Sequence, residues 1–156
     1  MKLSERDAER FWTKVDRSGD CWLWTAALTA AGYGSFRLGG RARPASYAHR
    51  LAYEIAGGEI PEGHHIDHRC HNRRCVRPEH LRAVTPSQNN QNYAGARSDS
   101  GSGARGVSRR GGKWQVVVKR NGKRHYGGVY VALDDADAAA RALRNRLFTH
   151  NERDRV

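Results

Sequence analysis

The chain has 156 residues, enough for one ordinary domain or two small ones, and its 28 lysines and arginines against 16 acids leave a formal net charge of +12. A pI near 10.4 points to a polyanionic partner, nucleic acid first, because cations set against phosphates release condensed counterions. No apolar run approaches the roughly 20 residues of a membrane span and no secretory segment opens the chain, so the sequence reads as soluble and cytoplasmic.

Ser4, followed three positions later by Asp7, marks a helix start, and Ala8, Phe11, Trp12 and Val15 recur behind it at helical spacing. "CWLWTAAL", from Cys21, and "YGSFRLGG", from Tyr33, are short, aromatic-rich and bounded by glycine, which predicts the two strands of a hairpin. Pro44 opens a second predicted helix whose Ala48, Leu51, Ala52 and Ile55 share one face, closed by Gly57 and Gly58. After a turn-rich stretch at 64–80, "HHIDHRCHNRRCVRPEH", "LRAVT" alternates like a strand. "TPSQNNQNY" then starts a helix, with Thr85 as cap, Pro86 at the first helical position and Gln88 completing the reciprocal pair. Strand, loop, strand, helix is the expected local order.

Residues 94–105, "AGARSDSGSGAR", lose all apolar periodicity and have the composition of a flexible connection. Beyond them, Gly111-Gly112 and Asn121-Gly122 each separate β-prone runs, predicting three antiparallel strands. Asp134 is placed to cap a final helix whose Ala136, Ala139, Ala140, Leu143 and Leu147 would cover one face of that sheet. The expectation is an α+β chain of two domains, 1–93 and 106–149, joined by the 94–105 linker. The second core is small enough to be marginal alone.

Cys21, Cys70 and Cys75 are an odd number, which leaves one thiol over in a disulfide framework and fits metal binding in a reducing compartment. Cys70-x4-Cys75-x4-His80 supplies three ligands, and Cys21, at the start of a predicted strand, supplies a fourth. A closed tetrahedral zinc site of three cysteines and one histidine then uses every cysteine in the chain. The alternative is a set of ordinary buried cysteines with a surface histidine.

With those residues assigned to zinc, "HHIDH" and "SQNNQN" still carry unspent polar groups. The run "HHIDHRCHNRRCVRPEHLRAVTPSQNNQN", with "CWLWTAALTAAGYGSF" and "YAHRLAYEIAGGEIPEGHHIDH" upstream, resembles the HNH endonucleases, specifically the His-Cys-box and phage homing members of the ββα-metal superfamily, over nearly all of residues 20–93. The resemblance implies a zinc-stabilised ββα-metal nuclease domain. In it His68 matches the general base that activates water against the scissile phosphate, and Asp67 and Asn89 match the ligands of a single divalent metal, magnesium first. It also implies 5′-phosphate and 3′-hydroxyl products. The chemistry is consistent: imidazole titrates near neutral pH, and one carboxylate with one amide oxygen suits a hard ion such as magnesium. His64, His65 and His71 read as structural or phosphate-facing, Asn92 as a loop-holding amide, and Arg50 is given no place by sequence alone.

"GVSRRGGKWQVVVKRNGKRHYGGVY" followed by the alanine-rich helix resembles the three-stranded DNA-binding domain of plant ethylene-response factors, through Gly106-Val107, Trp114, Asn121-Gly122 and "YGGVY". That likeness implies a sheet lying in the major groove of double-stranded DNA, with Arg109, Trp114, Lys119 and Arg124 as contacts. Arg105, Arg110, Lys113, Arg120 and Lys123 add to the basic crowding. The alternative is a solvated basic face giving only nonspecific phosphate attraction. The combined expectation is a homing-type metal-dependent DNA endonuclease of a phage or mobile element. Its rivals are a noncatalytic zinc-stabilised DNA-binding regulator and a nuclease acting on RNA or single strands. Monomer and homodimer stay open, and with them a nick or a double-strand break.

Overall fold

The computed structural model describes residues 4–39, 44–93, 95–96 and 98–155, so Ala94 and Arg97 of the expected linker lie outside the described residues. The chain divides between Pro86 and Ser87 into two compact units.

In the first unit, Ser4 is extended and its hydroxyl accepts the Asp7 amide at 3.2 Å, starting α1 (Glu5–Trp12) with Glu5 and Asp7 at the positive end of its dipole. The helix stops sooner than its apolar spacing predicts. The amides of Thr13 and Lys14 bond back to Glu9 and Phe11, and the Thr13 hydroxyl donates to the Arg10 carbonyl, closing the last turn. Val15 therefore leaves the helix and joins β1 (Val15–Asp16), paired with β2 (Leu23–Trp24).

The expected hairpin between "CWLWTAAL" and "YGSFRLGG" shrinks to one bridge, Leu28 with Gly34. Beyond it the chains part, and β3 (Ser35–Arg37) pairs instead with β4 (Ala45–Tyr47). A Cβ on Gly34 would come within 2.8 Å of Trp24 and of the Ala48 Cβ, so only glycine lets this backbone pass so close to the core tryptophan. Pro44 precedes β4 rather than opening a helix. Residues 45–47 are engaged in strand pairing, and α2 (Ala48–Ile55) begins after them.

Phe11 and Trp24 are fully sealed, their ring centroids 4.9 Å apart, with Phe36 edge-on to Phe11 at 5.4 Å. Ala48, Leu51 and Ala52 of α2 close this core from one side, and Ile66, Val76 and Leu81 from the other. The last three belong to or flank the antiparallel pair β5 (His65–His68) and β6 (Leu81–Val84), in which Asp67 faces Arg82 and His68 faces Leu81. The six-residue α3 (Pro86–Gln91) follows directly, completing the order strand, loop, strand, helix.

In the second unit, β7 (Val107–Arg110), β8 (Lys113–Arg120) and β9 (Lys123–Tyr130) form one antiparallel sheet in chain order. Gly111 and Gly112, at φ +55° and +78°, and Asn121 and Gly122, at +49° and +76°, give both hairpins the left-handed turn residues their sequences anticipate. Val107, Val116 and Val118 meet Ala136, Ala140 and Leu143 of α4 (Leu133–Leu147) to form the core. Asp134 does not cap α4: the cap falls two residues earlier, at Ala132, and the helix starts at Leu133. Asp134 and Asp135 sit in the first turn, where their charge complements the helix dipole instead.

The chain beyond α4 is also ordered into the fold. Asn151 is 1% exposed and Arg144 of α4 is 3% exposed, paired to Asp154. Truncating Phe11 to alanine is expected to cost about 3–5 kcal/mol, read as a lowered urea midpoint with an unchanged slope; a loss under about 1 kcal/mol would show that the ring cluster is not the main support of the first unit.

Candidate metal centre and active site

Residues 22–24 pair with residues 74–76: the Trp24 amide bonds the Arg74 carbonyl at 2.8 Å, the Val76 amide bonds the Trp22 carbonyl at 2.8 Å, and Leu23 bridges Cys75. Arg74 reinforces the join with two donations to the Trp24 carbonyl. This register carries Cys21 to the loop between β5 and β6. Cys70 stands in the turn that follows β5, where His71 takes the left-handed conformation at φ +58°. Cys75 is positioned by its amide on the Asn72 carbonyl, and His80 by a 3-10 turn over Pro78–His80.

The ligand atoms of Cys21, Cys70, Cys75 and His80 all lie within 4.8 Å of one another, with the Sγ atoms of Cys21 and Cys75 each 3.6 Å from His80 Nδ1. Asp20, tied to Arg77 at 2.8 Å, faces the other ring nitrogen of His80 at 3.6 Å, the arrangement that orients a ligating imidazole. The Cys75 thiol beside Cys70 holds the latter's pKa down to about 5, and the same contact and burial push Cys75 up. Burial likewise raises Cys21. One proton-sharing thiolate cluster with one imidazole is a soft, four-donor set, and it fits zinc.

His68 sits at the end of β5, 7% exposed, and its Nε2–H donates to the Cys75 carbonyl at 3.0 Å. That bond fixes the tautomer and makes Nδ1 the acceptor nitrogen of the neutral ring. Burial lowers the His68 pKa, with the Cys75 carbonyl pulling the other way. His49, on the first turn of α2, packs its ring 4.6 Å from that of His68, and Tyr33 lies 6.0 Å away. Burial and the neighbouring His68 and Arg50 hold His49 down to about 3, so it is neutral at physiological pH. Sequence reasoning passes over His49 because it lies beside, not on, the apolar row Ala48, Leu51, Ala52; a histidine flanking such a row is the available signal.

Asp67, 8% exposed, receives both Nε and Nη2 of its cross-strand neighbour Arg82 on Oδ2, at 3.0 and 2.8 Å. Arg82 is a second residue that sequence reasoning misses, legible only once the β5–β6 register is known. Arg50 donates to the His64 carbonyl at 3.4 Å, while His64 Nδ1 lies 3.1 Å from the Glu62 carbonyl and His65 is exposed. Asn89 and Asn92 belong to the second unit, Asn89 on α3, and Asn92 accepts the Glu152 amide at 3.2 Å.

On the three-stranded sheet, Trp114, Val116 and Val118 share the α4 side, so strand alternation turns Gln115, Val117 and Lys119 to the opposite face. Lys119 is paired directly with Arg124 there, and both line an open groove of about 1160 Å³ whose other wall includes residues 98–102. Arg109 pairs instead with Trp114, its guanidinium 5.3 Å from the ring centroid. The four expected contacts thus form two cross-strand pairs, and Arg109 lines the same groove as Lys119 and Arg124. Among the described residues, no helix is long and apolar enough to cross a membrane.

Residues 46–91, from within β4 to the end of α3, match the HNH endonuclease family. Over 89 residues the chain is 36% identical to Protein 2.8 of Escherichia phage T7, an alignment taking in 57% of this chain and 58% of that protein. The chain therefore matches little more than half of that relative's length. No solved structure matches it.

Replacing Cys75 by serine is expected to release bound zinc and abolish the cooperative melting of the first unit, measured by metal analysis and differential scanning calorimetry. A variant that keeps both its zinc and its transition would remove the cluster's structural role.

Proposed function

We propose that this chain is a metal-dependent DNA endonuclease that hydrolyses phosphodiester bonds of duplex DNA, with His68 as general base and Asp67 and Asn89 as oxygen donors to one divalent ion. The observation that carries the reading is the His68 bond to the Cys75 carbonyl, inside the stretch that matches the HNH family. It leaves a neutral imidazole with its acceptor nitrogen defined, which is what a base that deprotonates water requires.

The donor set of a carboxylate and an amide is hard, and it fits magnesium or a similar ion. Such an ion, when bound, stabilises charge developing on the phosphate and on the departing 3′ oxygen. Arg82 supplies the countercharge that the buried Asp67 carboxylate needs before any ion arrives. The products expected are 5′-phosphate and 3′-hydroxyl ends. The zinc cluster acts only on structure: it holds the 74–76 segment, and so the carbonyl that orients His68.

The basic sheet of the second unit is read as the DNA-recognition surface, in the manner of ethylene-response-factor domains. Lys119 and Arg124 on the open face are the first candidates for the major groove, and Arg109 with Trp114 for flanking backbone. The biological role proposed is that of a homing endonuclease of a phage or mobile element, working inside its host cell. The T7 relative supports the phage setting.

The test incubates purified protein with supercoiled plasmid and with a library of random duplexes, with magnesium or with chelator, beside His68→Ala. Magnesium-dependent nicking or linearisation is expected, falling at least about 10²-fold in the variant while DNA binding persists. Intact protein that shifts DNA in every case but cuts none would establish the rival, a noncatalytic DNA-binding regulator.

A further inference from the structure

Arg105 counts by sequence among the basic residues crowding the sheet and lines the same groove as Lys119 and Arg124, yet its guanidinium is engaged by backbone carbonyls. Nη1 donates to the carbonyls of Gln91 and Tyr93, at 3.1 and 2.8 Å, and Nη2 donates to that of Asn90 at 2.8 Å. The Asn90 and Gln91 carbonyls are among those that the end of α3 leaves without helical partners, Tyr93 lies two residues beyond the helix, and the planar fork of one arginine gathers all three. The arginine is itself held from behind: its own carbonyl accepts Nη1 of the buried Arg144, and its guanidinium lies 5.5 Å from the Phe148 ring centroid. Its neighbours Gly106 and Val107 lead straight into β7. Burial and Arg144 both lower the guanidinium's pKa, a cost that a merely solvent-facing, phosphate-seeking arginine would not bear.

We propose that Arg105 is a positioning residue that clamps α3, the helix bearing Asn89, to the base of the three-stranded sheet, so that helix and sheet move as one piece. This rests on the reading of Asn89 as a metal donor. Its consequence is that a DNA-engaged sheet brings an already ordered Asn89 to the reaction, instead of ordering a loose six-residue helix at each turnover.

The test compares zinc-loaded wild type with Arg105→Lys, which keeps the charge but not the fork, and with Arg105→Ala. Three readouts are taken: hydrogen exchange of amides 87–92 without DNA, duplex affinity in chelator, and the magnesium concentration giving half-maximal cleavage. Both variants are expected to exchange at least about tenfold faster in α3 and to need severalfold more magnesium, with DNA affinity close to that of wild type and the melting of the first unit unchanged. Unaltered exchange in both variants would overturn the clamp. So would reduced DNA affinity with an unaltered magnesium requirement, which would make Arg105 a phosphate contact. Asn89→Ala runs alongside: if it leaves the magnesium requirement unchanged, the metal-donor reading fails and the link to the metal falls with it, while the exchange rates of the Arg105 variants still test the clamp independently.

Discussion

The hydrogen bond from His68 Nε2 to the Cys75 carbonyl is where the first unit's architecture converges. Cys75 is fully buried, its thiol stands in the Cys/His cluster, and its backbone bridges Leu23. Each of these depends on the others. The 22–24 strand reaches residues 74–76 only because the Phe11, Trp24 and Phe36 core fixes β2, and Cys21 reaches the cluster only because that strand is paired. A loop such as 69–80, with little apolar surface of its own, has no means of rigidity other than such cross-links. The cluster residues thus hold in place the carbonyl that orients the imidazole.

Electrostatics around that imidazole are arranged by neutralising charge. Asp67 and Arg82 cancel across the β5–β6 pair, and His49 stays uncharged against the His68 ring. Burial holds the His68 ring toward its neutral form, while the Cys75 carbonyl, the Cys70 sulfur and the Asp67 carboxylate pull the other way. In the second unit the logic is reversed. Its sheet keeps Lys119 and Arg124 side by side on the open face, at a cost in like-charge repulsion to the free protein, whereas the interior Arg144 is matched to Asp154.

Much of this is legible in the sequence where local rules act alone. The Ser4 cap, the Gly-Gly and Asn-Gly turns, the β5–β6–α3 order and three of the cluster residues follow from short-range spacing and turn chemistry, and Cys21 follows from counting every cysteine in the chain. The misses come where tertiary pairing overrides local preference. Val15 and the residues just after Pro44 are drawn into strands by pairing with the segments at 23–24 and 35–37, and Asp134 is displaced as a cap because Leu133 already joins the helix that packs on the sheet. Arg82, His49 and Arg105 carry little signal of their own role, since each acts through a neighbour revealed only by register or packing. The terminal "THNERDRV", uninterpretable as a string, turns out to supply partners for groups far upstream.

That tail bears on what kind of object α3 is. "PSQNNQ" has no apolar face, and six residues are far too few for a helix to persist in water by propensity. Its order must come from polar contacts. Gln91 Oε1 collects the amides of Thr149 and His150, Asn92 takes that of Glu152, and Arg105 closes the carbonyl end. Every one of these partners lies beyond the residues matching the HNH family. A chain cut at residue 93 would therefore keep the sequence of α3 and lose the contacts that make it a helix.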